Sequence, residues 1–132
     1  AAHAGWQGAL HGVTEAAIAQ MESLGARRGR IVAVVGPCIG AASYEVGLEY
    51  LQRFIDVDPA YEAYFSPGIS PDKRQFDLPA FVLARLRQAG VGTCESLGRD
   101  TCAEPDLFFS NRRAFKQGEA DYGRLLSAIV LT

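Results

Sequence analysis

A chain of 132 residues with 48% hydrophobic and 21% charged residues can pack one domain and is too apolar to stay disordered. Its formal charge of -2 argues against a broad nucleic-acid footprint, and no apolar run reaches the roughly 20 residues of a membrane span. Cys38, Cys94 and Cys102 are far apart and form no C-x-x-C pair, which fits reduced thiols in a cytoplasmic protein better than a disulfide framework.

The chain opens on Ala1-Ala2-His3-Ala4-Gly5-Trp6-Gln7-Gly8. A histidine and the only tryptophan sit here between glycines, without an initiator methionine. Ala1-Ala2-His3 reads as the end of a buried strand entering a glycine turn, so the start is expected to lie inside a larger protein. Leu10, Val13, Ala17, Ile18, Met21 and Leu24 then recur at helical spacing, which predicts one helix over residues 8–24, stopped by Gly25. Arg27, Arg28 and Arg30 follow, either complementing that helix end or lining a solvated turn.

Ile31 to Val35 is a short β-branched run, expected to be a strand buried on both faces. Gly36-Pro37-Cys38-Ile39-Gly40 makes a rigid turn at its C-terminal end, where α/β proteins often build sites, and Ser43 to Gly47 continues it. Leu48, Leu51, Phe54 and Ile55 predict a helix ending near Asp56. Pro59, Pro67 and Pro71 break the next stretch into a helical turn at Tyr61 to Phe65 and a loop. Lys73 to Phe76 leads into a helix with Asp77 as N-cap and Pro79 in its first turn; Leu78, Phe81, Val82, Leu86 and Ala89 form its buried face and Gly90 ends it. Val91 to Leu97 reads as a strand carrying Cys94, and Asp100-Thr101-Cys102 as a loop. Glu104 to Ser110 reads as a short helix start, with Arg112 and Arg113 just after it. Gly118 to Gly123 is a polar loop, and Leu125 to Leu131 an apolar terminal strand. This alternation predicts an α/β (α+β) class with strands hidden under helices.

Residues able to do chemistry are few. His3 can bind a metal or act as a base near neutral pH, and a helix beginning near Gln7 would place free N–H groups beside it. His11 falls inside the amphipathic stretch and is expected to be solvated or capping. His3, Cys38 and Cys102 match no compact zinc spacing, and the cysteines read equally as small buried hydrophobes. Arg112 and Arg113 can grip phosphate or carboxylate bidentately; alternatively one of them pairs with a helix end, Asp100 or Glu104. Glu45, beside Tyr44, can orient a ligand or simply face solvent.

Taken together, His3-Ala4-Gly5-Trp6-Gln7-Gly8, Gly36-Pro37-Cys38-Ile39-Gly40 with Tyr44-Glu45-Val46-Gly47, Asp100-Thr101-Cys102, Phe108-Phe109-Ser110-Asn111-Arg112-Arg113 and Gly123-Arg124 resemble the YfiH or laccase-domain family in order and spacing. The resemblance implies a layered α/β/β/α fold, with residues 1–132 as the C-terminal portion of a single domain that is incomplete at its N-terminus. It implies phosphorolysis of purine nucleosides with phosphate as co-substrate, and in some members adenosine deamination. It also implies a zinc centre held by two histidines and a cysteine. His3 is then a metal ligand and catalytic residue, while the other ligands come from a preceding segment, so Cys38 and Cys102 are not among them. Arg112, Arg113 and Trp6 are the expected substrate-binding residues, Phe109 being a second source of stacking surface. An older reading of the family is a copper-dependent polyphenol oxidase, but two histidines are too few for a multicopper cluster. An inactive fragment or interaction module is the third reading. Gln7 replaces the family's usual Arg, and Asn111 its usual Tyr, which bears on substrate preference.

Overall fold

Gly12 decides the first helical stretch. In this computed structural model, which describes residues 1–130, the single helix expected over residues 8–24 is two: α1, Trp6–Leu10, and α2, Val13–Ser23. Gly12 stands between them at φ 90°, a left-handed conformation that costs other residues a Cβ clash. Leu10 and Ile18 are buried as the spacing predicts. The stripe then runs out, with Met21 44% and Leu24 80% exposed, and Gly25 stops the chain at φ 98°.

The chain divides into two compact units. The first takes Ala1–Gly36, Ala80–Leu97 and the tail from Leu126. Its strands are β1, Val32–Val35, and β5, Thr93–Ser96, paired in parallel with Val32 opposite Thr93 and Val35 opposite Ser96. The expected burial of β1 on both faces fails, since Val32 is 62% and Val34 45% exposed. Among the described residues β5 is the partner of β1, and a two-stranded ladder leaves one face without cover. The helix α4, Leu78–Gln88, forms as expected and buries Phe81, Val82 and Leu86; Gly90 follows it at φ 82°. Arg85 Nε reaches Glu15 at 2.6 Å and so ties α4 to α2.

The terminal strand expected over Leu125 to Leu131 is not there: residues 118–130 carry no strand, and Leu131 lies outside the described residues. Leu126, Ile129 and Val130 are 94%, 76% and 80% exposed. β-branched composition supplies side chains for a strand, but only a neighbouring ladder can satisfy its N–H and C=O groups.

The second unit, Pro37–Pro79 with Gly98–Leu125, holds strands that reading by periodicity missed. β2, Glu45–Gly47, β3, Phe65–Pro67, and β4, Lys73–Phe76, form an antiparallel sheet in the order β2-β4-β3. Three- and four-residue strands are too short to show alternation, and Pro67 is tolerated because β3 is an edge. Phe76 on the central strand organises the core. Its ring stacks on Phe65 at 4.6 Å and meets Phe54 of α3, Leu48–Ile55, at 4.8 Å. Phe54 and Phe76 are fully buried, and Tyr44 closes the cluster 5.7 Å from Phe76.

The helix expected to start in Glu104 to Ser110 begins later. It is α5, Asn111–Gln117, with Ser110 as N-cap accepting from the Arg113 amide at 3.3 Å. Ser is a strong N-cap, whereas Glu104 is spent accepting from the Asp100 amide and Arg99. Arg112 and Arg113 therefore lie within the first turn of α5 rather than before any helix. The mixed helix-and-sheet class is as expected.

Candidate functional site

The N-terminal turn is shaped by glycine. Gly5 is the N-cap of α1 at φ -66° and ψ 169°, and no side chain caps the helix. A methyl group at Gly5 would come within 3.2 Å of His3 Nε2, so the imidazole lies against this bare backbone. His3 and Gln7 are exposed and Trp6 is half-buried next to them. His11 is the C-cap of α1 and faces solvent, in agreement with its expected role.

Around His3 no metal centre is complete. Among the described residues no cluster of three or more His, Cys, Asp or Glu could hold a metal ion, so the zinc and copper readings do not fit this chain's residues taken alone. Cys38 is not poised as a reactive thiolate. Burial, reinforced by the charges of Asp100 and Asp77, pushes the Cys38 thiol up to about 11, far from nucleophilic at neutral pH. All three thiols are half-buried and free.

The second unit builds a knot from the loop after β1 and the loop before α5. Asp100 is its centre. Its carboxylate accepts from Ser43 Oγ at 2.6 Å, from the Cys102 amide at 2.9 Å and from the Ala103 amide at 3.3 Å. Cys38 and Asp100 also form a parallel bridge. Gly40 has to be glycine, because a Cβ there would stand 2.7 Å from Asp100 Oδ2. Burial pushes the Asp100 carboxyl up, but the Ser43 hydroxyl and the Gly40, Cys102 and Ala103 amides outweigh it and hold it below the ordinary aspartate value. Reading for catalytic residue types passed over Asp100. The available signal was an Asp followed two residues later by an amide it can accept from, the Asx-turn pattern.

The two arginines part company in this knot. Arg113 is turned into protein: Nη1 donates to the carbonyls of Thr101 and Cys102 at 2.8 and 3.1 Å, and Nη2 to Phe108 at 2.5 Å. Arg112 donates Nη1 to the Glu45 carbonyl at 2.6 Å, and its guanidinium lies 5.1 Å over the Tyr44 ring. Its Nε and Nη2 have no acceptor among the described residues. Neither arginine makes an ion pair with Asp100 or Glu104, one of the alternatives raised by their position. Glu45 Oε2 accepts from the Ile69 amide at 3.2 Å, which ties the carboxylate to the β3–β4 turn.

Beside α5 a cleft of about 750 Å³ is lined by Phe109, Ser110, Arg113, Glu119, Tyr122 and Gly123, among others. Phe109 is 56% exposed, and its ring lies so flat against Gly123 that any Cβ there would overlap it.

With this geometry in view, the family described as multi-copper polyphenol oxidoreductase laccase matches residues 1–132. A purine nucleoside phosphorylase of Rickettsia conorii is 36% identical over 99% of this chain and 54% of its own length. The purine nucleoside phosphorylase YfiH of Escherichia coli is 37% identical over 99% of this chain and 50% of its own. A Neisseria meningitidis protein of family DUF152, whose crystal structure is known, superposes with a TM-score of 0.74 at 34% identity, covering 85% of this chain and 45% of that one. The Bacillus licheniformis protein YfiH gives a TM-score of 0.74 at 25% identity, covering 92% and 46%. The chain thus spans about half the length of the curated relatives it matches.

Proposed function

The chain belongs to the multi-copper polyphenol oxidoreductase laccase family, and we propose that it is the C-terminal portion of one laccase-type domain in a cytoplasmic protein that phosphorolyses purine nucleosides. The observation that carries this reading is the 36–37% identity, across nearly the whole chain, to relatives named purine nucleoside phosphorylase. No described helix is long and apolar enough to cross a membrane.

Phosphorolysis joins a phosphate oxygen to the anomeric carbon of the ribose. The C–N bond to the purine breaks, its electron pair leaves with the base, and the base nitrogen takes a proton. The site must hold a dianion beside a sugar that gains positive charge in the transition state. Arg112 is the better placed of the two arginines for the phosphate: the Glu45 carbonyl and the Tyr44 ring fix it while Nε and Nη2 stay available. Arg113 contributes by holding the Thr101–Phe108 loop that precedes α5. Trp6 supplies an apolar face beside His3.

His3 is the residue of this chain we assign to a metal, zinc in preference to copper, since His3 and His11 are its only histidines. The other ligands would come from the part of the relatives' length that this chain does not span. The described residues do not complete that centre.

Inosine turnover in phosphate by the full-length protein tests the reading. Wild-type protein is expected to release ribose phosphate, and His3→Ala to lose about 100-fold or more in kcat/KM. Equal rates for the two proteins would remove His3 from the site. Stoichiometric copper without zinc in the purified protein would overturn the metal assignment, and no turnover by the wild type would leave the inactive-module reading in its place.

A further inference from the structure

Gly5 is a glycine without a backbone reason to be one. Its φ of -66° and ψ of 169° are extended values open to any residue, and they are usual for a helix N-cap. Ser, Asp or Asn at that position would accept from an amide of the first turn, yet no side chain caps α1. Neither the dihedrals nor the cap requires a bare Cα here.

The requirement comes from His3. A Cβ on Gly5 would stand 3.2 Å from Nε2 of the imidazole and 4.0 Å from its Cδ2. The shorter of these is inside ordinary packing distance, so one of the two groups would have to move. Gly5 is the anchored one. Its carbonyl accepts the first bond of α1 from the Ala9 amide at 2.8 Å, and Ala9 is fully buried. The His3 side chain is exposed, and among the described residues no hydrogen bond holds its ring. The ring is therefore placed by packing against Gly5, and it is the ring that yields when that space is filled.

We propose that Gly5 is a positioning residue for His3, its missing side chain being the seat that keeps Nε2 against the start of α1. The proposal rests on the reading that places His3 in the site of phosphorolysis. Gly5 touches no substrate and acts only through the ring. A side chain at Gly5 leaves the helix able to form and swings the imidazole outward. Misplacing a reacting group by about an ångström can cost on the order of 100-fold in rate.

Gly5→Ser and Gly5→Ala in the full-length protein are the test. Ser supplies the cap that α1 lacks, so Gly5→Ser should melt within about 2 °C of wild type or above it. Its kcat for inosine should still fall about tenfold or more, with KM for inosine and for phosphate unchanged. Gly5→Ala, which adds a methyl group alone, should show the same loss. In a His3→Ala background neither substitution should lower kcat further, because no ring is left to displace. Zinc retention against a competing chelator reads the seat without turnover: both Gly5 variants should release zinc at about tenfold less chelator than wild type. Wild-type kcat and zinc retention in both variants overturns the proposal. So does a loss that persists in the His3→Ala background, which would make Gly5 a support of α1 rather than of the ring. His3-dependent turnover that ignores Gly5 would retain phosphorolysis and dismiss the seat. Easier zinc release from the Gly5 variants of a protein that turns over no inosine would retain the seat and dismiss phosphorolysis.

Discussion

The two sheets of this chain are finished to different degrees. The β2-β4-β3 sheet carries a closed aromatic core, in which Phe54 and Phe76 are fully buried and Tyr44 nearly so. The β1–β5 pair leaves Val32, Val34 and Leu97 exposed at 62%, 45% and 58%. Parallel strands are ordinarily covered on both faces, and antiparallel sheets are free to keep one face wet. The difference shows where each region draws its stability: the second unit from its own residues, and the β1–β5 pair from little beyond Ile31, Val91 and the ladder itself.

Two substitutions break or sharpen that contrast. Phe76→Ala should cost about 3–5 kcal/mol, because it empties the centre of a ring cluster whose neighbours cannot collapse into the space. The melting temperature should fall by about 10–20 °C. Val34→Thr, on the exposed face of β1, should stay within about 0.5 kcal/mol. Denaturant melts of the full-length protein decide the matter. A cost at Val34 approaching that at Phe76 would mean that β1 is covered in the complete protein.

The arginines give the next largest effect and repeat the contrast within one helix turn. Arg113→Ala removes the donor to three loop carbonyls and should destabilise by about 2–4 kcal/mol. Arg112→Ala loses one carbonyl bond and a ring contact, and should cost about 1 kcal/mol while raising KM for phosphate tenfold or more. Melts and phosphate titrations of both variants separate the roles. A stable Arg113→Ala protein with weakened phosphate binding would reverse the assignment.

Sequence reading reached α3 and α4 and missed the small sheet, for a physical reason. α3 and α4 are long enough to repeat an apolar period, and Phe54 and Phe81 fall on the faces it marks. β2, β3 and β4 have three, three and four residues, shorter than any period can be read over. The residues 125–130 failed in the opposite direction: their composition is that of a strand, and the partner that makes a strand is a long-range fact. At the candidate site, residue type alone identified His3, Arg112 and Arg113 as able to act. It could not tell a guanidinium turned to carbonyls from one with donors to spare, because backbone carbonyls carry no sequence signal. Asp100 and Gly40 are legible only as a pair, across sixty residues of chain.

That pair yields the smallest and most pH-specific expectation. The Asp100 carboxyl is held below its ordinary value by the Ser43 hydroxyl and loop amides, against the pull of burial. A depressed carboxylate stabilises the fold above the unfolded pKa of about 3.9, and that contribution is lost as pH falls through the lower folded value. Between pH 5 and 8 the bonds are intact, and Asp100→Asn should cost about 1–2 kcal/mol through its weaker acceptor and the NH2 group it turns toward amide donors. As pH falls below the unfolded value and through the lower folded one, the wild type loses the same advantage, so the two proteins should converge. Gly40→Ala should destabilise the Asp100 protein by more than the Asn variant, since its methyl group presses on the carboxylate oxygen that Ser43 also uses. A constant gap between wild type and Asp100→Asn from pH 7 down to pH 3 would show that the carboxylate's charge has no part in holding the loop, leaving packing around residue 100 as its support.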